Sequence, residues 1–503
     1  MWFTHFLQRQ RQRQPDALAL ADEKRQLTWT ELDDRTEALA CGLLARGAEP
    51  GDRIAVCSRN RLEVVEVYLA AAKAGLIVCP INPTFPAPEV QHIMGNVSPI
   101  GVLGDGATLQ RLGSAFGTGW QLTLGEDEYE QLCATPGRLA RIAKQDDIFA
   151  IVHTSATTGR AKGVALSNRA VAAGYTAVVA DFSLTSEDVL LYPCPLFHGS
   201  MIVSLALLAA GGTLVIQSDF TPQRFLANIE RFRPTLTFVV PSMVHFTMQA
   251  KAFDTTDLSS LRELIFGGSP MPEPLLAETL DRFGIPVRSS YGLSEAGPIA
   301  SARYLPTGYR DAEPSDPPLC SGRMHPGCHI EVLDSAGNRL PYGEDGEICV
   351  RNDGSMSQYW QDEVATAAAF QDGWLRTGDL GHMDPTGRLY LVARRGDVIL
   401  RGGQNVYPAE IERVLLDQPG VADAAVVAAP SAEWGQVPVA FVVAGQDVPS
   451  AVSLLAGCAG QLGSYKRPAE IRFVAEIPRN AGGKILRAAL KGMLADQSEA
   501  EAV

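Results

Sequence analysis

The sequence predicts an α/β protein with a large N-terminal domain of mixed, largely parallel sheets flanked by helices, followed by a small α+β domain. Short β-branched runs alternate with helical patterns through most of the chain. The pattern changes near residue 390, and a length of 503 residues exceeds that of one ordinary domain. We expect the domains at residues 1–394 and 395–503, with the boundary at 394–396.

The first elements alternate between helix and strand periodicity. LTWTELDDRTEALACGLLARG predicts a helix, because Thr28 and Glu31 have the spacing of a capping box. Strands are predicted at DRIAVCS, LIVCPIN, DIFAIVHTS, GTLVIQS, TLTFVVPS and LRELIFGGS, with a helix at RLEVVEVYLAAAKAG. Ligand-binding loops follow the carboxyl ends of parallel strands, and HTSATTG, FGGSP and YGLSEAG all follow predicted strands.

The last hundred or so residues form a different pattern. LVARRGDVILRGGQNVYPAEIERVL runs from a strand through a charged, glycine-rich bend into a helix. Further strands are predicted at ADAAVVAAP, VPVAFVVAG and EIRFVAEIP, and a terminal helix near ILRAALKGMLAD. This unit has the size of a separate domain.

Composition excludes several classes of function. A net charge of −14 argues against nucleic acid or an anionic membrane as the main partner. The apolar stretch at the N-terminus is too short for a signal peptide. The apolar run at residues 201–216 is broken by two glycines and is shorter than the ~20 residues of a membrane span, which favours a buried helix followed by a strand. Nine scattered cysteines indicate reduced thiols and a cytoplasmic location.

Four potential zinc ligands lie close together in CSGRMHPGCH. Their spacing is irregular, and the glycines and proline are typical of a loop that leads into the strand CHIEVLD, so a plain loop is favoured over a zinc site. The four residues are Cys320, His325, Cys328 and His329.

The stretch HTSATTGRAKG has the composition of a phosphate-binding loop. Hydroxyl groups, glycine backbone N–H groups and the charges of Arg160 and Lys162 can together hold a polyphosphate. The Walker pattern is absent because Gly163 follows the lysine, which excludes a P-loop ATPase. Taken alone, the loop is equally typical of a polar surface. Its candidate residues are Thr154, Ser155, Thr157, Thr158, Gly159 and Lys162.

Three charged residues stand where they could act on a nucleotide. Glu295 follows a strand end, where a carboxylate can hold Mg²⁺ against phosphate oxygens. Asp379, in a tight glycine turn, can accept both hydroxyl groups of a ribose, and Lys484 can reach an incoming anion from a glycine-rich loop. For each residue taken alone, a structural role is favoured: a turn residue for Glu295 and Asp379, and a solvated helix start for Lys484.

Taken in order, the motifs resemble those of the adenylate-forming superfamily, which includes acyl-CoA synthetases, peptide-synthetase adenylation domains and firefly luciferase. The resemblance extends from LTWTELD to the C-terminus and is strongest to the acyl-CoA synthetase branch. The motifs that carry it are TSATTGRAKGV, PLFHGS, FGGSP, YGLSEAG, GWLRTGDLG, GGQNVYPAEIE and PRNAGGKILR.

The resemblance implies an acid–thiol ligase that uses ATP, Mg²⁺ and coenzyme A. A carboxylate attacks the α-phosphate to give acyl-adenylate and pyrophosphate, and a thiol then displaces AMP. Residues 154–163 would bind the β- and γ-phosphates, and Glu295 would hold Mg²⁺ together with Thr154. Lys484 would bridge the acyl carboxylate and the α-phosphate, and Ser294 stands where the family usually has threonine on that phosphate.

The other implied roles concern the nucleotide and a mobile small domain. Asp379 and Arg394 would bind the ribose. The small domain would rotate between the two steps about Gly396, exchanging the Lys484 loop for the GGQN face. Gly267, Gly268 and Ser269 would line the adenine with Tyr291 nearby, and the predicted cofactor-binding set also includes Gly292, Gly402 and Gly403.

Two residues depart from the family pattern. Ala156 replaces a usual glycine, which costs of order 1 kcal/mol if the position needs a positive φ. Gly396 replaces a usual Asp or Lys at the pivot and permits a large dihedral change. These departures leave open a relative that has lost adenylation, but the retained Lys484, Glu295 and Asp379 favour an active enzyme.

The acid is predicted from the motif PLFHGS. His198, included among the candidate catalytic residues, stands where amino-acid-activating domains usually carry an aspartate, so an apolar or aromatic acid is expected. Arg288 could meet a second carboxylate, although a structural role is favoured. Alternatives left open are transfer to a carrier-protein phosphopantetheine and a non-catalytic adenylate- or CoA-binding protein. We expect no membrane span, and a monomer or homodimer.

Overall fold

The computed structural model describes residues 5–117, 119–139, 143–154, 161–306, 320–402, 404–431, 433–445, 450–480 and 483–500, with the side chains of the last helix described to residue 494. The helices of these residues are α1 His5–Arg13, α2 Trp29–Ala45, α3 Leu62–Ala74, α4 Ala87–Val97, α5 Gly106–Leu112, α6 Asp127–Leu132, α7 Asn168–Asp181, α8 Met201–Ala210, α9 Pro222–Phe232, α10 Pro241–Gln249, α11 Glu273–Phe283, α12 Glu363–Ala369, α13 Pro408–Leu416, α14 Ala451–Gln461 and α15 Arg487–Ala500. The strands are β1 Leu18–Ala21, β2 Gln26–Thr28, β3 Arg53–Cys57, β4 Ile77–Ile81, β5 Gly101–Gly104, β6 Trp120–Thr123, β7 Ile148–Thr154, β8 Lys162–Ser167, β9 Val189–Tyr192, β10 Thr213–Ile216, β11 Leu236–Val239, β12 Glu263–Gly267, β13 Val287–Leu293, β14 Gly297–Tyr304, β15 Cys320–Met324, β16 His329–Leu333, β17 Gly346–Arg351, β18 Gln358–Tyr359, β19 Phe370–Gln371, β20 Trp374–Met383, β21 Arg388–Arg394, β22 Ile399–Arg401, β23 Gln404–Val406, β24 Val421–Ser431, β25 Gly435–Ala444 and β26 Glu470–Phe473.

Two sheets precede residue 395, and each has a parallel core. In the larger sheet, strands β13-β12-β11-β9-β10-β1 are parallel neighbours. In the second, β7-β4-β3-β5-β6 are parallel, and β8 and β18 add antiparallel strands at one edge. The described helices and these sheets form the mixed α/β architecture that the alternating pattern predicts.

Local sequence signals account for the predicted helices. Thr28 caps α2, since its hydroxyl accepts the Glu31 N–H at 3.2 Å and the Glu31 carboxylate accepts the Thr28 N–H at 2.8 Å, which confirms the capping box. The apolar run forms buried helix α8, stops at Gly211 with a φ of +98°, and continues as strand β10, also as predicted. No helix in the described ranges combines the length and the apolar character needed to cross a membrane.

The larger sheet continues beyond β13 as a series of antiparallel strands, which the sequence pattern did not reveal. Strand β13 pairs antiparallel with β14, β14 with β15, and β15 with β21. Strand β20 pairs antiparallel with both β17 and β21. This stretch extends the parallel core, and it places Asp379 directly opposite Arg394.

The small sheet follows a short 3₁₀ turn, Arg395–Asp397, at the predicted domain boundary. Its order is β23-β22-β25-β24, with β26 parallel to β25. Successive residues of β24 point to opposite faces: Val426 packs in a core with Ile411 of α13, and Val427 packs in another with Leu490 of α15. The unit is therefore α+β, as predicted, and the structure adds that both faces of its sheet are covered. The boundary at 394–396 stays a prediction.

Candidate active site

A buried carboxylate, a tyrosine and an arginine meet on three strands of the larger sheet. Asp379 of β20 is 6% exposed, and its Oδ1 lies 2.9 Å from Arg394 Nε on β21. The hydroxyl of Tyr291, on β13, donates to Asp379 Oδ2 at 2.7 Å. The hydroxyl of Thr377 accepts the Asp379 N–H at 3.0 Å. The structure thus brings three predicted nucleotide-binding residues together, two on the paired strands β20 and β21 and one on β13 of the same sheet.

The charges in this group are fixed by burial and by one another. Burial, followed by the nearby Asp379 carboxylate, raises the pKa of Tyr291 well above its ordinary value, so its hydroxyl remains a donor. Burial opposes the charge of Arg394, but Asp379 and other neighbouring acidic groups, including Glu295, outweigh it and raise the pKa of Arg394. Arg394 therefore stays cationic between Asp379 and Glu295.

Glu295 is oriented by an aromatic residue of β18. The hydroxyl of Tyr359 donates to Glu295 Oε1 at 3.1 Å, and the N–H of Met356 donates to the Glu295 carbonyl oxygen at 2.7 Å. Burial, then the Glu295 carboxylate, raises the pKa of Tyr359. The Lys162 ammonium lies 5.0 Å from the centroid of the same ring, so Tyr359 joins the predicted metal ligand to the end of the phosphate loop.

The surroundings of Glu295 fit a magnesium ion that is held mainly by substrate. Magnesium is usually bound by one or two carboxylates together with substrate phosphates and water. Glu295 Oε1 has the Tyr359 hydroxyl, and Oε2 has no hydrogen-bond partner among the described residues. Those residues also contain no cluster of three or more His, Cys, Asp or Glu side chains able to hold a metal. A single carboxylate with a free oxygen matches a metal shared with a nucleotide.

Lys484 approaches this group from the small sheet's side. Burial lowers its pKa, the charge of Arg394 lowers it further, and Asp397 and Asp379 oppose the shift. The Lys484 ammonium is therefore electrostatically coupled to the Asp379–Arg394 pair. Its backbone N–H donates to Asn480 Oδ1 at 2.9 Å, which holds the start of the terminal segment.

The motifs PLFHGS and YGLSEAG touch one another at Gly199. A Cβ built on Gly199 would lie 2.9 Å from the Ser294 hydroxyl oxygen, so the glycine allows this approach. Burial lowers the pKa of the neighbouring His198 to about 4, and its Nε2 has no hydrogen-bond partner within the described part of the chain. His198 is therefore a neutral imidazole with its ring 4.6 Å from Phe197. Its catalytic role stays a prediction.

The predicted adenine-binding residues lie at the end of β12, beside the end of β13. Gly267 is paired with Ser290, one residue before Tyr291. A Cβ at Gly267 would meet both the Phe238 ring and the Ser290 carbonyl oxygen at 3.0 Å. Gly268 follows with a φ of +82°, and Ser269 is half-buried. The strand ends therefore meet as parallel topology requires.

Several predicted residues lie elsewhere or outside the described ranges. Thr154 and Lys162 are paired residues at the ends of β7 and β8. Gly292 packs against Gly297, whose carbonyl oxygen would lie 2.6 Å from an added Cβ. Gly402 occupies an exposed turn beside Trp434. The residues outside the described ranges are Ser155, Ala156, Thr157, Thr158, Gly159, Arg160 and Gly403.

Arg288 has the structural role that the sequence favoured. Its guanidinium lies 3.1 Å from Glu263 and 3.6 Å from Asp181, and both distances join opposite charges. His325, from the zinc-like cluster, also faces Asp181, with 3.6 Å between Nδ1 and Oδ2. Through its ion pairs with Asp181 and Glu263, Arg288 links helix α7 to the sheet.

The sequence did not predict the side chains that orient the predicted site residues. Tyr359 and Thr377 position Glu295 and Asp379. Thr377 lies within GWLRTGDLG, so a search for hydroxyl groups beside that aspartate could have found it. Tyr359 is 64 residues from Glu295, and no local pattern indicates this contact.

Known proteins match nearly the whole chain. Residues 7–360 match the family model of the AMP-binding enzyme, and residues 410–484 match that of the AMP-binding enzyme C-terminal domain. A fatty acid–[acyl-carrier-protein] ligase, ScoC of Streptomyces coeruleorubidus, is 33% identical to this chain. The alignment covers 95% of this chain and 94% of the ligase. A feruloyl-CoA synthase of an Amycolatopsis species is also 33% identical and covers 94% and 95%, respectively.

Solved structures agree with the sequence matches. The crystal structure of ATP-bound MatB from Rhodopseudomonas palustris has a TM-score of 0.88 and 28% identity, and covers 98% of this chain and 99% of its own. The chain belongs to the AMP-binding enzyme family, within the acyl-CoA synthetase branch of the adenylate-forming superfamily. The predicted family and fold class are confirmed.

Proposed function

We propose that the protein is an AMP-forming carboxylic acid–CoA ligase that activates an apolar or aromatic acid. The observation that carries this proposal is the buried Asp379–Arg394 pair, which accepts a hydrogen bond from Tyr291 and is electrostatically coupled to Glu295 and Lys484. Such a site combines cations for phosphate and carboxylate with an acceptor for ribose. The family and the named activities of its members support the same reaction.

The first step joins two anions, and the chain supplies the charges that make their approach possible. The acid oxygen forms a bond to the α-phosphorus while the bond to pyrophosphate breaks. Lys484 and Arg394 offset the repulsion between the carboxylate and the phosphate in a partly dry site. Fixed donors of this kind cost no reorganisation during the reaction, because sheet and loop contacts already hold them.

Asp379 has a separate task in both steps. Its carboxylate lies between Tyr291 and Arg394 and accepts the ribose hydroxyl groups of ATP, acyl-adenylate and AMP. In the second step a sulfur–carbon bond forms, the acyl carbon–oxygen bond breaks and AMP leaves. Because AMP is part of the substrate in both steps, the ribose contact is needed throughout.

Magnesium, when bound, neutralises phosphate charge and polarises the phosphorus–oxygen bonds. Glu295 would hold it, and Tyr359 keeps that carboxylate in one orientation. Thr154 is the second predicted ligand at the end of β7.

An apolar or aromatic acid agrees with the motif PLFHGS and the helix that follows it. Helix α8 is buried over most of its length, and His198 is neutral, so neither offers a charge to a substrate amino group. The two relatives named above act on a fatty acid and on ferulate, judged by their names. We infer the same broad class of acid for this chain.

Coenzyme A is the proposed acceptor, and a carrier-protein phosphopantetheine is the second candidate. The carrier-protein ligase among the relatives favours the second candidate, while the feruloyl-CoA synthase favours the first. Both acceptors present the same thiol. A cytoplasmic location and a monomeric or homodimeric state stay predictions.

Rotation of the small domain about Gly396 completes the proposal. Arg395 Nη1 lies 2.9 Å from Glu347 on the larger sheet, and Asp397 lies 3.3 Å from Arg487 on the small domain's terminal helix. Gly396, between them, has no atom within 4 Å of a built Cβ. The linker is thus anchored on both sides of one unhindered residue, which supports a pivot there.

Gly396→Pro tests this pivot. Proline fixes φ and disfavours the helical conformation of the preceding residue, so the variant is expected to hold one domain orientation. One half-reaction should then survive while the other is lost. Normal rates of both half-reactions in the variant would show that the pivot lies elsewhere.

The decisive experiment measures pyrophosphate release over a panel of carboxylic acids, with and without coenzyme A. Acid-dependent release and a thioester product are expected with apolar or aromatic acids. Replacing coenzyme A with a phosphopantetheine-bearing carrier protein separates the two acceptors. A chain that binds ATP but releases no pyrophosphate with any acid would refute the ligase assignment.

A further inference from the structure

The described residues beside Lys484 are hydrogen-bonded to one another and to the small domain. Asn480 accepts the Lys484 N–H through its side chain at 2.9 Å, and its backbone N–H donates to the Lys484 carbonyl oxygen at 2.9 Å. Arg479 donates to the Gly483 carbonyl oxygen at 3.0 Å and pairs with both oxygens of Asp423 at 3.0 Å. Since Asp423 belongs to β24, the turn is attached to the sheet and moves with it.

The same turn contacts the large domain through Gly483. A Cβ built on this glycine would lie 3.2 Å from Val240 Cγ2 and 3.2 Å from the Ser242 hydroxyl oxygen. Val240 caps the N-terminus of α10, and Ser242 lies in its first turn. Gly483 also has a φ of +75°, which side chains other than glycine rarely adopt.

We propose that Val240 and Ser242 form a docking site for Gly483 that positions Lys484 for adenylation only. This inference rests on the proposed function and adds two positioning residues to it. The Asp423–Arg479 pair holds the loop from behind, and the docking site sets how far it enters the large domain. Rotation about Gly396 would separate Gly483 from this site, so the thioester step does not use it.

The tight contact explains why the docking site controls the chemistry. Lys484 is adjacent to Gly483, so a displacement of the glycine displaces the ammonium group. A misplacement of about 1 Å in a catalytic arrangement costs roughly 100-fold in rate. A larger side chain at 242 would fill the space that the missing side chain of Gly483 leaves, since even a built Cβ there would lie 3.2 Å from the Ser242 hydroxyl oxygen. We expect the loop to be displaced by a comparable amount.

Ser242→Leu is the main test, and each half-reaction is measured separately. Adenylation is followed by pyrophosphate release from acid and ATP, and thioester formation by reaction of a chemically prepared acyl-adenylate with coenzyme A. Adenylation is expected to fall about 100-fold, with the second half-reaction unchanged. Ser242→Ala, which only removes a hydroxyl, should retain much more adenylation than Ser242→Leu. The control is Ser335→Leu, in an exposed turn.

Gly483→Ala tests the same contact from the other side. Its matched control is Gly284→Ala, since Gly284 has a φ of +65° and no atom within 4 Å of a built Cβ. Both substitutions carry a similar backbone cost, so a selective loss of adenylation in Gly483→Ala alone reports the contact. Retained thioester formation also shows that the variant is folded.

Two results would overturn the docking site. One is an equal loss of both half-reactions in Ser242→Leu, which would indicate a role in holding the adenylate. The other is normal adenylation in both Ser242→Leu and Gly483→Ala. Failure of the proposed function looks different, because the parent protein would then release no pyrophosphate at all.

Discussion

The ribose side and the lysine side of the active site are built in opposite ways. Asp379, Tyr291 and Arg394 sit on strands of one sheet, and two of them face each other in a strand pair. Lys484 sits on a loop whose hydrogen bonds run back to its own domain. Under the proposed mechanism, the group that both steps need is therefore fixed in the sheet, whereas the group that only adenylation needs lies on a loop of the small domain.

Of the variants that test this comparison, Lys484→Ala should show the largest change in rate. Loss of a fixed stabilising donor typically costs about 10²–10³ in rate, and the loss should be confined to adenylation. Thioester formation from preformed acyl-adenylate should survive, because the loop is withdrawn in that step. Lys491→Ala, in the exposed part of the same terminal helix, is the control. Equal losses in the two half-reactions would contradict the assignment.

Asp379→Asn tests the opposite side and should slow both half-reactions. The variant loses a charge-assisted acceptor worth about 1.5–3 kcal/mol, or roughly 10- to 100-fold. It also leaves Arg394 without its carboxylate. The measurement is kcat/KM for ATP and for acyl-adenylate. The control is Asp345→Asn, which alters an exposed pair with His382 and should change neither value. A loss confined to one half-reaction in Asp379→Asn would contradict the proposed role of Asp379 in both steps.

The pH dependence of adenylation should reveal the lysine. Protonated Lys484 is the active form, and burial with Arg394 lowers its pKa from the ordinary value of 10.5. The kcat/KM for adenylation is therefore full below that lowered pKa and falls about tenfold per pH unit above it. Thioester formation should lack this decline.

Lys484→Arg is the matched variant for the pH profile. Arginine does not deprotonate in this range, so the alkaline decline should disappear even if the rate is lower. A decline that persists in Lys484→Arg belongs to another group. His198, with a pKa of about 4, should add no inflection near neutrality.

Tyr359→Phe gives the smallest expected effect. It removes the hydroxyl that donates to Glu295 but keeps the ring under Lys162. One hydrogen bond contributes about 0.5–1.5 kcal/mol, so the Mg²⁺ concentration for half-maximal adenylation should rise roughly 2- to 10-fold. Tyr342→Phe, at an exposed tyrosine, is the control. An unchanged Mg²⁺ requirement would remove Tyr359 from the metal site.

The sequence predicted the parts of the fold and site that local pattern encodes. Glycine-rich motifs pointed to Asp379, Glu295 and Lys484. Only Glu295 follows a strand of the parallel core, where such loops meet at one edge. Asp379 lies within antiparallel strand β20 and not in the predicted turn, and Lys484 lies in the small domain. The orienting contacts were not predictable, since Asp423 lies 56 residues before Arg479 and the strand that carries Tyr359 has two residues. Long-range pairs of this kind depend on sheet register, which short patterns do not specify.

Coverage of the small sheet on both faces has a practical consequence for protein engineering. A unit with apolar layers of its own on each side can be exchanged as a block between relatives without repacking the partner domain. A chimera joined within the 3₁₀ turn Arg395–Asp397 would have few surfaces to match. Glu347, strand β21 and the start of α10 are among the places where the incoming block would meet its host.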